Sequence, residues 1–171
     1  QEMAAVTLED SADILDICLQ DEGYLLTDRG VYQMRFLLNR HHTLEKFHKI
    51  CTWFDDFDER AAVIGTYGRF LYGYSYYYGA GTGKTAGHYF QVDLDGKCCN
   101  VLSADRNKSF LGSYDAESDF DTTAFDRKHE LYSKGRDNED ESWDPIDVRY
   151  LLSEDGAVDI QTEKIKQEES S

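Results

Sequence analysis

Proline is nearly missing from this chain. Pro145 is the one proline in 171 residues, which argues against long proline-stiffened linkers and extended recognition segments. No run reaches the roughly 18 apolar residues that a membrane-spanning helix needs. The first residues, Gln1 to Val6, are neither basic nor long enough in apolar character to read as a signal peptide. The four cysteines, Cys18, Cys51, Cys98 and Cys99, include no CxxC spacing. A disulfide scaffold needs a denser set in a secretory context. All four therefore read as reduced thiols, and the chain as intracellular, in the cytoplasm.

Positive charge is also scarce. Eighteen Lys and Arg face 34 Asp and Glu, a formal net charge of −16. Duplex nucleic acid is a polyanion, and binding it relies on cations that neutralise phosphates. No direct nucleic-acid binding is expected here. The same field attracts basic protein surfaces, speeds encounter with them and keeps the chain soluble. The acids are uneven: residues 1–103 carry 15 acids and 9 bases, residues 104–171 carry 19 and 9.

What is present is apolar and aromatic enough for a core, with 40% hydrophobic and 13% aromatic residues. Ala12, Ile14, Leu15, Cys18 and Leu19 recur at helical spacing behind Ser11 as a cap, predicting a helix over 8–20. Leu44, Phe47, Ile50, Cys51, Phe54 and Phe57 make one apolar stripe behind Thr43, predicting a helix over 44–59 with Phe47, Ile50 and Phe54 buried. A third helix is predicted over 123–134, between Thr122 and Gly135. Period-two alternation predicts strands at 31–38, 69–78, 88–94 and 97–103, the last two joined at Asp95-Gly96. A further hairpin, 146–152 and 157–162, turns at Glu154-Asp155-Gly156. No internal repeat is apparent. These elements predict an α+β fold: an antiparallel sheet of five or six strands, helices 8–20 and 44–59 on one face, and the acidic segment 104–144 as an excursion. Residues 1–162 read as one domain and 163–171 as a frayed tail.

Gly79-Ala80-Gly81-Thr82-Gly83-Lys84-Thr85 ends like the phosphate-cradling loop of nucleoside-triphosphate hydrolases. That loop needs a glycine where this chain has Tyr78, and it opens a helix. The residues after it, Ala86 to Phe90, read as a strand, so a glycine-rich connection between antiparallel strands suffices. The alternative is a phosphate- or nucleotide-binding protein or enzyme that uses Gly81, Gly83, Lys84 and Thr85 as a nest of amides. His41, His42, His48 and Cys51 lack the second ligand pair of a structural zinc site. Asp93 and Asp95 read as hairpin residues, and His88 has no thiolate environment beside it. No catalytic residue, metal site or cofactor is assigned.

Two features remain. Phe70, Tyr72, Tyr74, Tyr76 and Tyr78 share one strand face, either as packing or as a recognition surface rich in tyrosine. Acid runs flank the third predicted helix. The expectation is a non-enzymatic, acidic interaction module that docks on a basic site of another protein. Inhibitors whose carboxylates imitate nucleic-acid phosphates belong to that class. Its contact residues are Asp115, Glu117, Asp119, Asp121, Asp137, Glu139, Asp140 and Glu141, with Tyr74 and Tyr76. A structural subunit of an assembly is the further alternative. For the glycine loop the expected outcome is no nucleotide affinity. Calorimetric titration with ATP and GTP plus magnesium checks this, and micromolar binding lost in Lys84→Ala overturns it.

Overall fold

Residues 11–19, 23–36, 44–54, 57, 60–78, 85–102, 120–136 and 145–164 are described by a computed structural model. They form twelve strands in three four-stranded antiparallel sheets. Sheet I holds β1 (Ile14–Cys18), β2 (Tyr24–Thr27), β3 (Gly30–Phe36) and β4 (Leu44–Cys51) in that order. Sheet II holds β5 (Arg60–Tyr67), β6 (Phe70–Tyr78), β7 (Thr85–Asp93) and β8 (Cys98–Val101). Sheet III holds β9 (Phe120–Asp121), β10 (Glu130–Arg136), β11 (Pro145–Leu152) and β12 (Val158–Lys164). The one described helix is α1 (Phe125–Lys128), a single turn.

Sheet II lies between the other two, and its alternation explains this. On β6, Phe70 and Tyr72 enter a core with Leu131, Ile146, Val148 and Tyr150 of sheet III. The intervening Leu71 joins Phe90 and Val92 in a core with Leu26, Val31 and Ile50 of sheet I. Successive side chains of a strand point to opposite faces, so β6 is apolar on both. Three buried tyrosines, Tyr72, Tyr89 and Tyr150, fill the interface of sheets II and III. Their hydroxyls are satisfied. Gln91 Nε2 donates to Tyr72 Oη at 2.9 Å, Tyr89 Oη donates to the Tyr132 carbonyl at 2.6 Å, and Tyr150 Oη lies 3.3 Å from Ser133 Oγ. Buried polar groups need such partners.

The fold is therefore nearly all β, and the α+β expectation is corrected. Residues 14–18 of the predicted helix 8–20 are edge strand β1. Its apolar residues reach helical spacing because the register slips between Ile14 and Asp16. Acid side chains bridge segments here. Asp16 Oδ2 accepts the Val63 amide of β5 at 2.7 Å, and Asp28 Oδ1 accepts the Asp13 amide at 2.8 Å. Residues 44–51 of the predicted helix 44–59 are β4. Phe47 and Ile50 share a helix face but fall on opposite faces of a strand. Ile50 joins the core toward sheet II, while Phe47 packs on Leu25, Tyr32 and Met34 across the sheet. Phe47 and Phe54 are part-buried and only Ile50 is buried. The predicted helix 123–134 shrinks to α1. His129, in the left-handed region at φ 54°, ends it, and β10 follows at once. The supposed acidic excursion thus supplies β9, α1 and β10 to sheet III. Among the described residues no helix longer than one turn lies on a sheet, and the sheets cover one another.

The architecture also repeats where residue identity does not. Sheets II and III share one connection pattern, with Asp95-Gly96 and Asp155-Gly156 in the turns between their last two strands. Sheet I has the same consecutive strand order, β1-β2-β3-β4. Gly156 is required at its turn. Its φ is +92°, and a Cβ there would meet the Phe70 ring at 2.2 Å. Truncating Phe90, fully buried between sheets I and II, to Ala is expected to cost about 3–5 kcal/mol. Denaturant unfolding followed by far-ultraviolet circular dichroism checks this, together with the β-dominated spectrum.

Candidate functional site

Strand direction decides which connections share an end of the stack. In sheets II and III the tight connections cluster. Gln91 Nε2 donates to the Gly156 carbonyl at 2.8 Å, and the Tyr67 ring stacks on His129 at 3.7 Å. The turns at 68–69, 94–97 and 153–157 and the segment 122–129 therefore lie together. The strands leaving them end at the opposite end of the sheets. There Tyr78 pairs with Thr85 and Arg136 with Pro145, so residues 79–84 and 137–144 join strands at that same end.

Both acid runs are tethered there. Asp115, Glu117 and Asp119 precede β9, and Asp137, Glu139, Asp140 and Glu141 follow β10. Phe120 pairs with Ser133 of β10, and Arg136 lies three residues further along that strand, about 10 Å at strand rise. The strands they adjoin, β9 and β10, are antiparallel neighbours, so the start of β9 and the end of β10 share one end of sheet III. Those seven acids lie outside the described residues, as do Gly81, Gly83 and Lys84.

The described contact residues divide. Asp121 is exposed, and its carboxylate accepts the Thr123 hydroxyl at 2.6 Å and amide at 3.0 Å. These bonds hold it below the usual carboxylate range and give it a local structural task. Tyr74 is half-buried and stacks on Phe120 at 5.0 Å, and Tyr76 lies beside it at 5.4 Å. Phe70, Tyr72 and Tyr74 of this β6 face pack on sheet III, and Tyr76 follows toward the end of β6. Thr85 opens β7 where a phosphate loop would open a helix.

The other candidates resolve locally. Asp93 Oδ1 accepts the amides of Asp95 and Gly96 at 3.1 and 2.9 Å and lies 3.5 Å from Arg69 Nε, which closes the β7–β8 turn. His48 and Cys51, three apart, sit on a strand and not on one helix face; His48 is exposed and Cys51 buried. His41 and His42 lie outside the described residues. Among the described residues no three His, Cys, Asp or Glu group as metal ligands. His88 is four positions along β7 from Val92, the partner of Cys99, about 13 Å away at strand rise.

The outer face of sheet III carries a polar network that the sequence reading missed. Glu130 accepts Arg149 Nη2 at 2.7 Å and also the Tyr132 hydroxyl. Glu130 is buried, though its strand faces outward. The Arg149 bond, then the Tyr132 bond, hold the Glu130 carboxyl below its ordinary value. The signal was the alternation Glu130, Tyr132, Lys134 against Leu131 and Ser133, hidden by a helix assignment running through it.

No family model, no curated protein and no solved structure matches this chain.

Glu130 yields a pH prediction. A carboxyl whose folded pKa is depressed contributes stability above its unfolded value, here near 4.5, and loses it as pH falls through the folded value. The stability gap between wild type and Glu130→Gln is expected to be constant near neutrality. It should close as pH falls below that value, read by denaturant midpoints across the range.

Proposed function

We propose that this chain is a non-enzymatic docking module that presents acid-rich connections at one end of a β-sheet stack to a basic site of another protein. The observation that carries the reading is the tethering of runs 115–119 and 137–141 to adjacent strands, on the same end. Residues 104–171 also hold most of the excess negative charge. Like charges gathered at one rim focus the field and favour a partner of opposite sign. Spaced carboxylates suit a surface that ordinarily receives phosphates, so nucleic-acid-binding proteins are the partner class, with inhibition as the consequence. Tyr76 adds amphipathic contact area beside that rim.

The test uses kinetics against the partner recovered by pull-down at low salt. Neutralising Asp115, Glu117, Asp119, Asp137, Glu139, Asp140 and Glu141 to their amides, with Asp121 left to hold Thr123, is expected to slow association at least tenfold at low salt. Dissociation should change less, and raising ionic strength should slow the wild type toward the variant. Association indifferent to both salt and the substitutions overturns the reading.

A further inference from the structure

A strand at the edge of a sheet offers backbone hydrogen-bond groups to any extended chain, and folded proteins blunt such edges with short strands, bulges or charged side chains. The edges of the three sheets are formed by β1, β4, β5, β8, β9 and β12. Asp16 ties β1 to β5, its carboxylate accepting the Ile17 amide at 2.8 Å and the Val63 amide at 2.7 Å. β4 slips register near both ends. β8 and β9 are four and two residues long. β12 is neither short nor bulged. Its seven residues pair with β11 without a shift, from Val158 opposite Leu152 to Lys164 opposite Ile146. Among the described residues no strand pairs with its other side.

We propose that the outer edge of β12 is a strand-addition site for an extended segment of another protein, in which basic residues alternate with apolar ones. Strand addition draws affinity from main-chain hydrogen bonds and specificity from alternate side chains. The two faces of sheet III set the chemistry of that alternation. On the face turned to sheet II, Val158 and Ile160 pack part-buried against the shared core. An apolar neighbour on an added strand extends that core. On the outer face stand Asp159, Gln161 and Glu163, all exposed. Cross-strand rows on that face run Lys134–Asp147–Glu163 and Glu130–Leu151–Asp159. In the first row Asp147 has a cation opposite it on β10 and a like charge opposite it on β12. Like charges directly opposite are destabilising, and a cation on the next strand offsets the Glu163 charge. Both rows end on an acid at the edge.

The same acids argue against a second copy of this chain as the occupant. An antiparallel pair of two β12 strands centred on Gln161 sets each Asp159 opposite the Glu163 of the other copy, a repulsive pairing made twice. A basic strand turns both positions attractive. Gln161 Nε2 donates to Asp159 Oδ2 at 3.2 Å, so the residue between the two acids is held along the same face. The site is carried by β12 itself and does not draw on the acid runs of the docking proposal.

The test measures binding of a fluorescent peptide of alternating lysine and valine, seven residues long to match β12, by anisotropy at low salt. The full-length chain carries amides in place of the acids of runs 115–119 and 137–141, so that the rim does not contribute. The expected result is saturable binding, with amide hydrogen exchange slowed across 158–164. The same peptide methylated on every backbone nitrogen keeps its charge but cannot pair along the edge, and should bind roughly tenfold more weakly. Asp159→Lys with Glu163→Lys should weaken the lysine–valine peptide by roughly tenfold and confer binding of a glutamate–valine peptide. If that double variant fails to fold, the methylated peptide and the exchange pattern decide. Absence of saturable binding, equal binding of the methylated peptide, or exchange slowed elsewhere than β12 overturns the proposal.

Discussion

Sheet II is buried on both faces, and most of the structure follows from that constraint. A sheet with one wet face can alternate apolar and polar residues, but a central sheet has to be apolar on each side. β6 meets the demand with aromatics toward sheet III and smaller residues, Leu71, Gly73 and Ser75, toward sheet I. The small side matters because Gly73 faces both the Ala62 carbonyl and the Phe90 ring. The large side imports hydroxyls into a dry interface, where each needs a partner. Gln91, Ser133 and the Tyr132 carbonyl provide them. Those partners tie sheet II to the Gly156 turn and to β10, so satisfying the tyrosines also sets how the two sheets meet. Burial pushes the Tyr89 and Tyr150 hydroxyls up, keeping them neutral.

The faces of sheet II are occupied, and the tight turns at one end are locked by contacts such as the Tyr67–His129 stack. The opposite end carries the longer connections, including both acid runs and the glycine-rich link. Connections of this kind tolerate charge because they need not pack, and a rigid scaffold positions them. The acidity and the aromatic content of the chain thus occupy different places. Tyr72, Tyr89 and Tyr150 build the interior.

The errors of the sequence reading share one cause. Leu44, Phe47, Ile50 and Cys51 satisfy a helical stripe, and they also satisfy a strand apolar on both faces. A strand of that kind carries no clean alternation. The bulges at Ile14/Asp16 and Val31/Tyr32 blur the period further. Glu130 to Lys134 was absorbed into a helix because nothing local announces that His129 turns left-handed. The repeat of meanders escaped notice because it lies in connection order and not in residue identity.

The sequence by itself determined the features governed by local chemistry. Its net charge and the clustering of acids in residues 104–171 follow from composition. β3, β6, β7, β8, β11 and β12, with the turns at Asp95-Gly96 and Asp155-Gly156, follow from alternation and from glycine's freedom in tight turns. The tertiary structure alone decided whether each remaining apolar run became helix or strand, because that choice rests on what covers each face. It alone put Cys51 and Cys99 in one core, Glu130 against Arg149, and β9 beside β10. Those juxtapositions depend on strand order, direction and sheet stacking, long-range contacts that local spacing does not encode.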